Sequence, residues 1–202
     1  MSFTVQDLTQ PEGLRHLIAV TGGTQSVYNR PDQALGMAEV ATRAIAKNPN
    51  LAHLKVKILP NLHNTFYNYD KREILLGLTN PAALAHELEH ANNIQQESLY
   101  ANVLRAAQGV ARVNNVMAMP TVMALRTFLR DEQKRDDILK TLSALSAAVA
   151  APGLVEEASA SARAMSESPM KGEAINTLGP AFLAHLASSM APTLVYQAGR
   201  MK

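Results

Sequence analysis

The chain contains no cysteine among its 202 residues. Disulfide bonds and thiolate metal ligands are therefore excluded, so a bound metal would be held by histidine and carboxylate side chains. Tryptophan is also absent, and aromatic residues make up only 4% of the sequence. Much of the apolar content is instead alanine, with leucine, valine and methionine. Because alanine and leucine lose little entropy in a helix, this composition favours a mainly helical protein.

Charge of either sign is not in excess, since the formal net charge is only +2. The sequence has no basic run and no basic stripe interleaved with aromatic residues, which argues against nucleic-acid binding. Hydrophobic residues make up 47% and charged residues 18%, as is typical of globular rather than disordered chains. The length favours a single domain over residues 1–202.

Long hydrophobic runs are missing as well. The most apolar stretch, "LSALSAAVAAPGLV" at residues 142–155, is short and is interrupted by serine, proline and glycine, so we expect no integral membrane segment. The segment "MSFTVQDLTQPEGLRHL" carries acids and a proline and lacks the apolar region of a signal peptide. These features predict a protein that is cytoplasmic or exported without a cleaved signal; the compartment and the oligomeric state stay open.

A short region with the period of β-strands interrupts the helical pattern. We predict three strands, which lie at residues 53–60, 63–70 and 72–78. The links between them are short, so a small antiparallel sheet over about residues 53–78 is expected. The remainder of the chain predicts helices, and the fold class is therefore α+β and mainly helical.

The sheet is followed by a strong helix start. Asn80 can cap free N–H groups, and Pro81 suits the first helical position. We expect this helix to run to about residue 110 or beyond. The charged segment "RDEQKRDD" at residues 130–137 predicts a solvated helix face or a turn between helices. Four prolines predict helix breaks, namely Pro120, Pro152, Pro180 and Pro192.

The predicted helix carries the sequence "LAHELEHA", in which His86, Glu87 and His90 form an H-E-x-x-H pattern. Residues four apart are offset by about 40° around a helix, so both imidazoles point the same way and can bind one Zn²⁺. Glu87 lies beside them, within reach of a water activated by the metal, and can act as a general base. Leu84 and Leu88 point to the opposite side, at roughly 200°, so we expect the histidines to face a cleft.

This octapeptide resembles the active-site helix of zincin metallopeptidases, which carry H-E-x-x-H on a helix preceded by an edge strand. It is also similar, over about ten residues, to secreted bacterial effector zinc proteases. The resemblance implies a Zn²⁺ cofactor, Glu87 as the catalytic base, and a peptide or protein substrate. It also implies that "REILLGL" is an edge strand that binds an extended peptide by strand addition. The single zincin-like domain would comprise an N-terminal helical region over 1–50 and the sheet, active-site helix and C-terminal helices over 51–202.

A catalytic zinc site usually has three protein ligands. Asn93 and Gln96 stand where metzincins have glycine and histidine, which excludes that subclass. Glu97 lies about 16 Å along the same helix from His86, too far to reach the metal unless the helix breaks. The sequence therefore directs the search for a third ligand to residues further along the chain.

By resemblance to the E-x-x-A-D motif of some gluzincins, Glu157 would be the third ligand. Ser161 stands where that motif has aspartate, and it would orient a ligand only weakly. Glu156 is an alternative ligand, and both acids also suit the first turn of a helix. The remaining candidates are Asp131, Asp136, Asp137 and His185. Tyr196 and His185 are possible donors to an oxyanion, although His185 in "FLAHLASS" is more typical of a core histidine.

Two functions follow from these residues. The first is a zinc-dependent metallopeptidase in which Zn²⁺ is held by His86, His90 and Glu157 and Glu87 is the general base. The alternative is a non-enzymatic helical structural or interaction protein in which the H-E-x-x-H pattern is accidental or degenerate.

Overall fold

The computed structural model describes residues 2–22, 31–59, 65–69, 71–77, 80–95 and 99–201. The strands are β1 (Ser2–Thr4), β2 (Lys55–Ile58), β3 (Phe66–Asn68) and β4 (Glu73–Leu76). The helices are α1 (Val5–Leu8), α2 (Pro11–Gly22), α3 (Pro31–Lys47), α4 (Pro81–Gln95), α5 (Leu99–Phe128), α6 (Glu132–Glu167) and α7 (Lys171–Ala198), with a 3-10 helix at Pro49–His53 between α3 and β2. The predicted α+β, mainly helical fold is confirmed.

The four strands form one sheet in the order β1-β2-β4-β3. Val56 of β2 lies opposite Ile74 of β4 in a parallel pair, whereas Phe3 opposite Val56 and Tyr67 opposite Ile74 belong to antiparallel pairs. The three predicted strands are present within residues 53–78, but the sheet also includes β1 at Ser2–Thr4, and its purely antiparallel pairing is wrong. Strands β2 and β3 are adjacent in sequence but do not pair with each other. Instead β3 forms a hairpin with β4, and β4 pairs with β2 on its other side.

The order of the strands also corrects the expected edge strand. The segment "REILLGL" contains β4, which is paired on both sides, while β3 lies at the edge. The turn from β3 into β4 includes Arg72, whose φ of 50° is in the left-handed region. Such tight turns frequently need a residue in that region.

The described chain divides into two compact units, residues 1–96 with 159–180 and residues 97–158 with 181–202. Helices α6 and α7 each contribute residues to both units. The prediction of a single domain over 1–202, with an N-terminal helical region in 1–50, stays a prediction. The first unit holds the sheet, α1 to α4 and the H-E-x-x-H pattern.

Helix α4 begins as the sequence predicts. The Asn80 Oδ1 atom accepts hydrogen bonds from the N–H groups of Ala82 at 2.8 Å and Ala83 at 3.3 Å. Asn80 Nδ2 donates to Thr177 Oγ1 at 2.9 Å, which ties this cap to α7. A Cβ atom at Gly36 of α3 would lie 2.7 Å from Pro81 Cγ, so glycine permits the close approach of α3 to the start of α4. The cap and this contact fix α4 in the first unit.

The long helices differ from the prediction at every proline. Pro120 lies inside α5, Pro152 inside α6, and Pro180 and Pro192 inside α7. An internal proline costs about 3 kcal/mol through the loss of one backbone hydrogen bond and a steric clash, which packing of a long helix can offset. The expected helix from residue 81 to about 110 or beyond is described as α4 up to Gln95 and as α5 from Leu99, and residues 96–98 between them lie outside the described residues.

The charged segment 130–137 forms the connection from α5 to α6 and the first turns of α6, consistent with the predicted turn. Asp131 Oδ1 accepts a hydrogen bond from the Lys134 N–H at 3.0 Å. Arg200 contacts Asp136 at 2.7 and 3.2 Å, and this hydrogen bond lowers the pKa of the Asp136 carboxyl. Because that pKa is lowered in the folded protein, the pair favours folding above it and the contribution is lost as the pH falls through it.

Candidate metal centre

The three residues of the H-E-x-x-H pattern lie in the middle of helix α4. His86, Glu87 and His90 are 7%, 6% and 5% exposed, and Leu84 and Leu88 on the other side of the helix are also buried. The helix is therefore buried on both faces, and the expectation that the histidines face a cleft stays a prediction. Buried imidazole and carboxylate groups need partners, since an unpaired polar group in the interior is costly.

The two imidazoles face each other. Their Nε2 atoms lie 2.9 Å apart, the ring centroids are 4.5 Å apart, and the ring planes are nearly perpendicular at 89°. Two imidazole nitrogens this close together can be ligands of one cation. At this distance one Nε2 can donate a hydrogen bond to the other, in a direction set by the tautomers of the two rings.

Ser161 of α6 contacts the far side of one ring. Its Oγ atom lies 3.4 Å from His86 Nδ1, and its side chain is 3% exposed. When Nδ1 carries the proton and donates it to the hydroxyl, Nε2 keeps a lone pair for a metal. The resemblance implies only a weak orienting role for Ser161, and this role stays a prediction that the contact would permit.

Glu157 lies one helical turn before Ser161. One carboxylate oxygen of Glu157 and one ring nitrogen from each of His86 and His90 all lie within 4.8 Å of one another. Two imidazole nitrogens and one carboxylate oxygen are a donor set that zinc accepts, with a fourth position left for water or substrate. The donor set therefore fits Zn²⁺, while metal binding itself stays a prediction.

The other candidates for the third ligand have different surroundings. The three aspartates lie near the start of α6, and Asp136 is about 30 Å from Glu157 along the helix. Asp137 Oδ1 accepts a hydrogen bond from Gln133 Nε2 at 3.3 Å, and Asp131 and Asp136 have the contacts described above. Glu156 is 2% exposed and does not belong to the cluster. Glu97 lies outside the described residues.

His185 and Tyr196, the two possible oxyanion donors, have different surroundings. The side chain of His185 is 42% exposed and its Nδ1 lies 4.0 Å from Glu157 Oε2, so the interpretation as a core histidine is wrong. The Tyr196 hydroxyl donates to Asn114 Oδ1 at 2.9 Å. Of the two possible oxyanion donors, His185 is thus the one with a contact to a residue of the cluster.

Sequence reasoning missed two tyrosines that contact the pattern from β3 and the residue after it. The Tyr67 N–H donates to Glu87 Oε2 at 2.6 Å, which holds the carboxylate against the edge strand. The Tyr69 ring packs edge-on to His90 with centroids 6.4 Å apart, and Tyr67 and Tyr69 contact each other at 5.2 Å. Tyr67 and Tyr69 are two residues apart, a spacing that puts side chains on one face of an extended segment, but no local signal indicates that this face meets α4.

We predict that Ser161→Ala weakens zinc binding by about 10- to 100-fold, as loss of an outer-shell partner of a ligating histidine typically does. Affinity is measured by competition with a chromophoric chelator. Ser166→Ala is the matched control, because Ser166 lies on the same helix, is exposed, and contacts only the Arg163 carbonyl among the hydrogen bonds described for it. Equal zinc affinity in the Ser161→Ala variant and the wild type would contradict an orienting role.

Neither a protein-family model, nor a curated protein, nor a solved structure matches this chain. A functional inference for this chain therefore rests on the residues of the cluster and their geometry.

Proposed function

We propose that the protein is a zinc-dependent metallopeptidase that hydrolyses peptide bonds of a peptide or protein. His86, His90 and Glu157 would hold the zinc ion, and Glu87 would be the general base. The observation that carries the proposal is the convergence of two ring nitrogens and one carboxylate oxygen within 4.8 Å, next to a buried glutamate.

Each of these side chains has a defined task in the proposed reaction. A bound zinc ion supplies a Lewis acid that polarises the scissile carbonyl and acidifies water. Glu87 accepts the proton of the attacking water and later donates it to the leaving amine. The hydrogen bond from the Tyr67 backbone supports this role, because it holds one carboxylate oxygen in a fixed position.

The edge strand β3 is the proposed binding strand for substrate. An extended peptide can add to an exposed sheet edge through main-chain hydrogen bonds. The contact between Tyr67 of β3 and Glu87 brings that edge next to the proposed base. This arrangement favours β3 in the role that the resemblance implies for "REILLGL", since β4 is paired on both sides.

One observation favours the alternative, a non-enzymatic helical protein with an accidental or degenerate motif. The Nε2 atoms of His86 and His90 are close enough to hydrogen-bond to each other. A neutral pair of this kind satisfies both rings without a metal. The two functions therefore differ first in the zinc content of the purified protein.

The proposal is tested by the zinc content and by chelation. We expect one zinc ion per chain at neutral pH by elemental analysis, and cleavage of casein or of a degenerate peptide library. A chelator is expected to abolish cleavage, and zinc is expected to restore it, because the ion supplies the Lewis acid. A protein that binds no zinc at neutral pH would exclude the metallopeptidase. A protein that binds zinc but cleaves neither substrate would support the metal site and contradict the proposed peptidase activity.

A further inference from the structure

Helix α5 is apolar both on its packed face and on its exposed face. On the packed face, Ala118 shares a small core of the second compact unit with Leu139 of α6 and Tyr196 of α7. On the exposed face, Val110 and Val113 are 53% and 63% exposed. A surface helix in water normally presents polar residues to the solvent, so this exposed face indicates a surface that another molecule covers.

The exposed apolar residues of α5 follow a heptad spacing. Successive members are alternately four and three residues apart, and they define the α5 stripe: Leu99, Val103, Ala106, Val110, Val113 and Met117. The same spacing continues through the exposed Pro120 to Ala124. An apolar repeat of seven residues winds slowly around a straight helix, and a second helix follows such a repeat by supercoiling. The spacing therefore fits a partner helix better than a flat surface.

Two cations border the α5 stripe on one side, and the sequence of α5 contains no Asp or Glu. Arg105 and Arg112 are both exposed and are seven residues apart, so they lie on the same side of the helix. Arg105 Nη1 donates to Asn102 Oδ1 at 3.2 Å. Asn102 lies between Arg105 and the stripe around the helix, so this contact turns the guanidinium toward the stripe.

The surface between the two arginines and the α5 stripe is open. A Cβ atom at Gly109 would meet no atom of the described chain within 4 Å beyond the backbone of its own helix. Gly109 and its neighbour in the stripe, Ala106, are the smallest residues of this face. Side chains of a partner helix can therefore approach the backbone of α5 closely at this point and reach both arginines.

Charge distinguishes among the molecules that could cover the α5 stripe. A second α5 helix would bring two more arginines and no acid, whereas a helix with carboxylates beside its apolar residues would pair with Arg105 and Arg112. A bilayer would place the exposed Arg112, near the middle of the stripe, in contact with lipid. By length and composition α6 and α7 resemble membrane spans, but the uncharged stretch of α6, residues 141–155, is shorter than the about 20 residues that cross a bilayer.

We propose that the α5 stripe is a docking site for an amphipathic helix of another protein, one whose apolar residues repeat in heptads and are flanked by Glu or Asp. The apolar residues of the two helices pack along the stripe, and the flanking carboxylates pair with Arg105 and Arg112. The proposal rests on α5 alone and is independent of the metal centre, so it holds whether or not the protein is a peptidase.

The test uses the full chain and two synthetic helical peptides of about four heptads. Both peptides have Leu at the two apolar positions of each heptad, and the flanking positions are Glu in one peptide and Lys in the other. We expect the Glu peptide to bind about tenfold more tightly than the Lys peptide by fluorescence anisotropy, with a smaller difference in 1 M salt because charges are then screened. Equal affinities for the two peptides, or no binding of either, would contradict the proposal.

Two sets of variants test the apolar and the charged parts of the site separately. Val113→Asn is expected to weaken binding of the Glu peptide by about tenfold, because a buried valine is lost from the interface. Val155→Asn is the matched control, since Val155 of α6 is 64% exposed and lies outside the stripe. Arg105→Glu combined with Arg112→Glu is expected to reverse the preference, so that the Lys peptide binds more tightly. An unchanged preference in this double variant would exclude charge recognition by the two arginines.

Two further measurements test the other occupants of the α5 stripe. Sedimentation of the chain alone would overturn the proposal if it showed a dimer that Val113→Asn dissociates and Val155→Asn does not, because the occupant would then be a second copy. Flotation with vesicles of phosphatidylethanolamine and phosphatidylglycerol that Val113→Asn abolishes would overturn it in favour of lipid. Circular dichroism confirms that each variant keeps its helical content, so that a loss of binding reports on the stripe.

Discussion

Replacing Glu87 by glutamine is expected to reduce peptide hydrolysis by about 10²- to 10⁴-fold, the usual contribution of a general acid–base group. Glutamine has the shape of glutamate, and its amide oxygen can still accept the hydrogen bond from the Tyr67 N–H. It cannot accept the proton of the attacking water. The variant is therefore expected to keep its zinc, which elemental analysis measures, and to lose cleavage of casein.

Glu89→Gln is the control for this substitution. Glu89 lies on the same helix two residues away, and its Oε2 atom contacts Arg163 Nη1 at 3.2 Å rather than the histidines. We expect this variant to retain both zinc and activity, because one partly exposed ion pair contributes little to stability. Full activity in Glu87→Gln would overturn the role of Glu87 as base. Loss of zinc together with activity would show instead that the substitution damages the cluster.

The second large effect is expected at Glu157. Glu157→Gln removes a charged ligand from the proposed zinc site. Loss of an outer-shell partner lowers metal affinity by up to about 100-fold, and we expect the loss of this ligand to lower zinc affinity by more than that. Competition with a chromophoric chelator measures the change. Hydrolysis at saturating zinc separates a loss of affinity from a loss of chemistry.

Glu156→Gln provides the matched comparison because it makes the same chemical change one residue away. Adjacent residues on a helix point about 100° apart, so Glu156 and Glu157 cannot both face the histidines. We expect Glu156→Gln to bind zinc as tightly as wild type. A large loss of zinc affinity in Glu156→Gln with none in Glu157→Gln would reverse the assignment of the third ligand.

Local chemistry by itself determined several features of this protein. The start of α4 follows from the capping amide of Asn80 and from Pro81, both of which act on backbone groups within three residues. The common direction of His86 and His90 follows from the period of the helix, as their facing Nε2 atoms show. The strand β2 follows from the alternation of apolar and basic residues in "HLKVKILP", which its burial pattern matches. Each of these outcomes depends on neighbours a few residues away.

Tertiary structure alone decided the strand order, the positions of the prolines inside helices, and the surroundings of the histidines. Pairing of β2 with β4 and the contact of Tyr67 with Glu87 join residues distant in sequence, and many such pairings are compatible with the same local pattern. The helices α5, α6 and α7 continue past their internal prolines despite a local cost of about 3 kcal/mol for each. The buried side chains of α4 and the exposed apolar side chains of α5 to α7 have similar local sequence signals. Burial is a property of what covers a helix, and that is decided by the assembled fold.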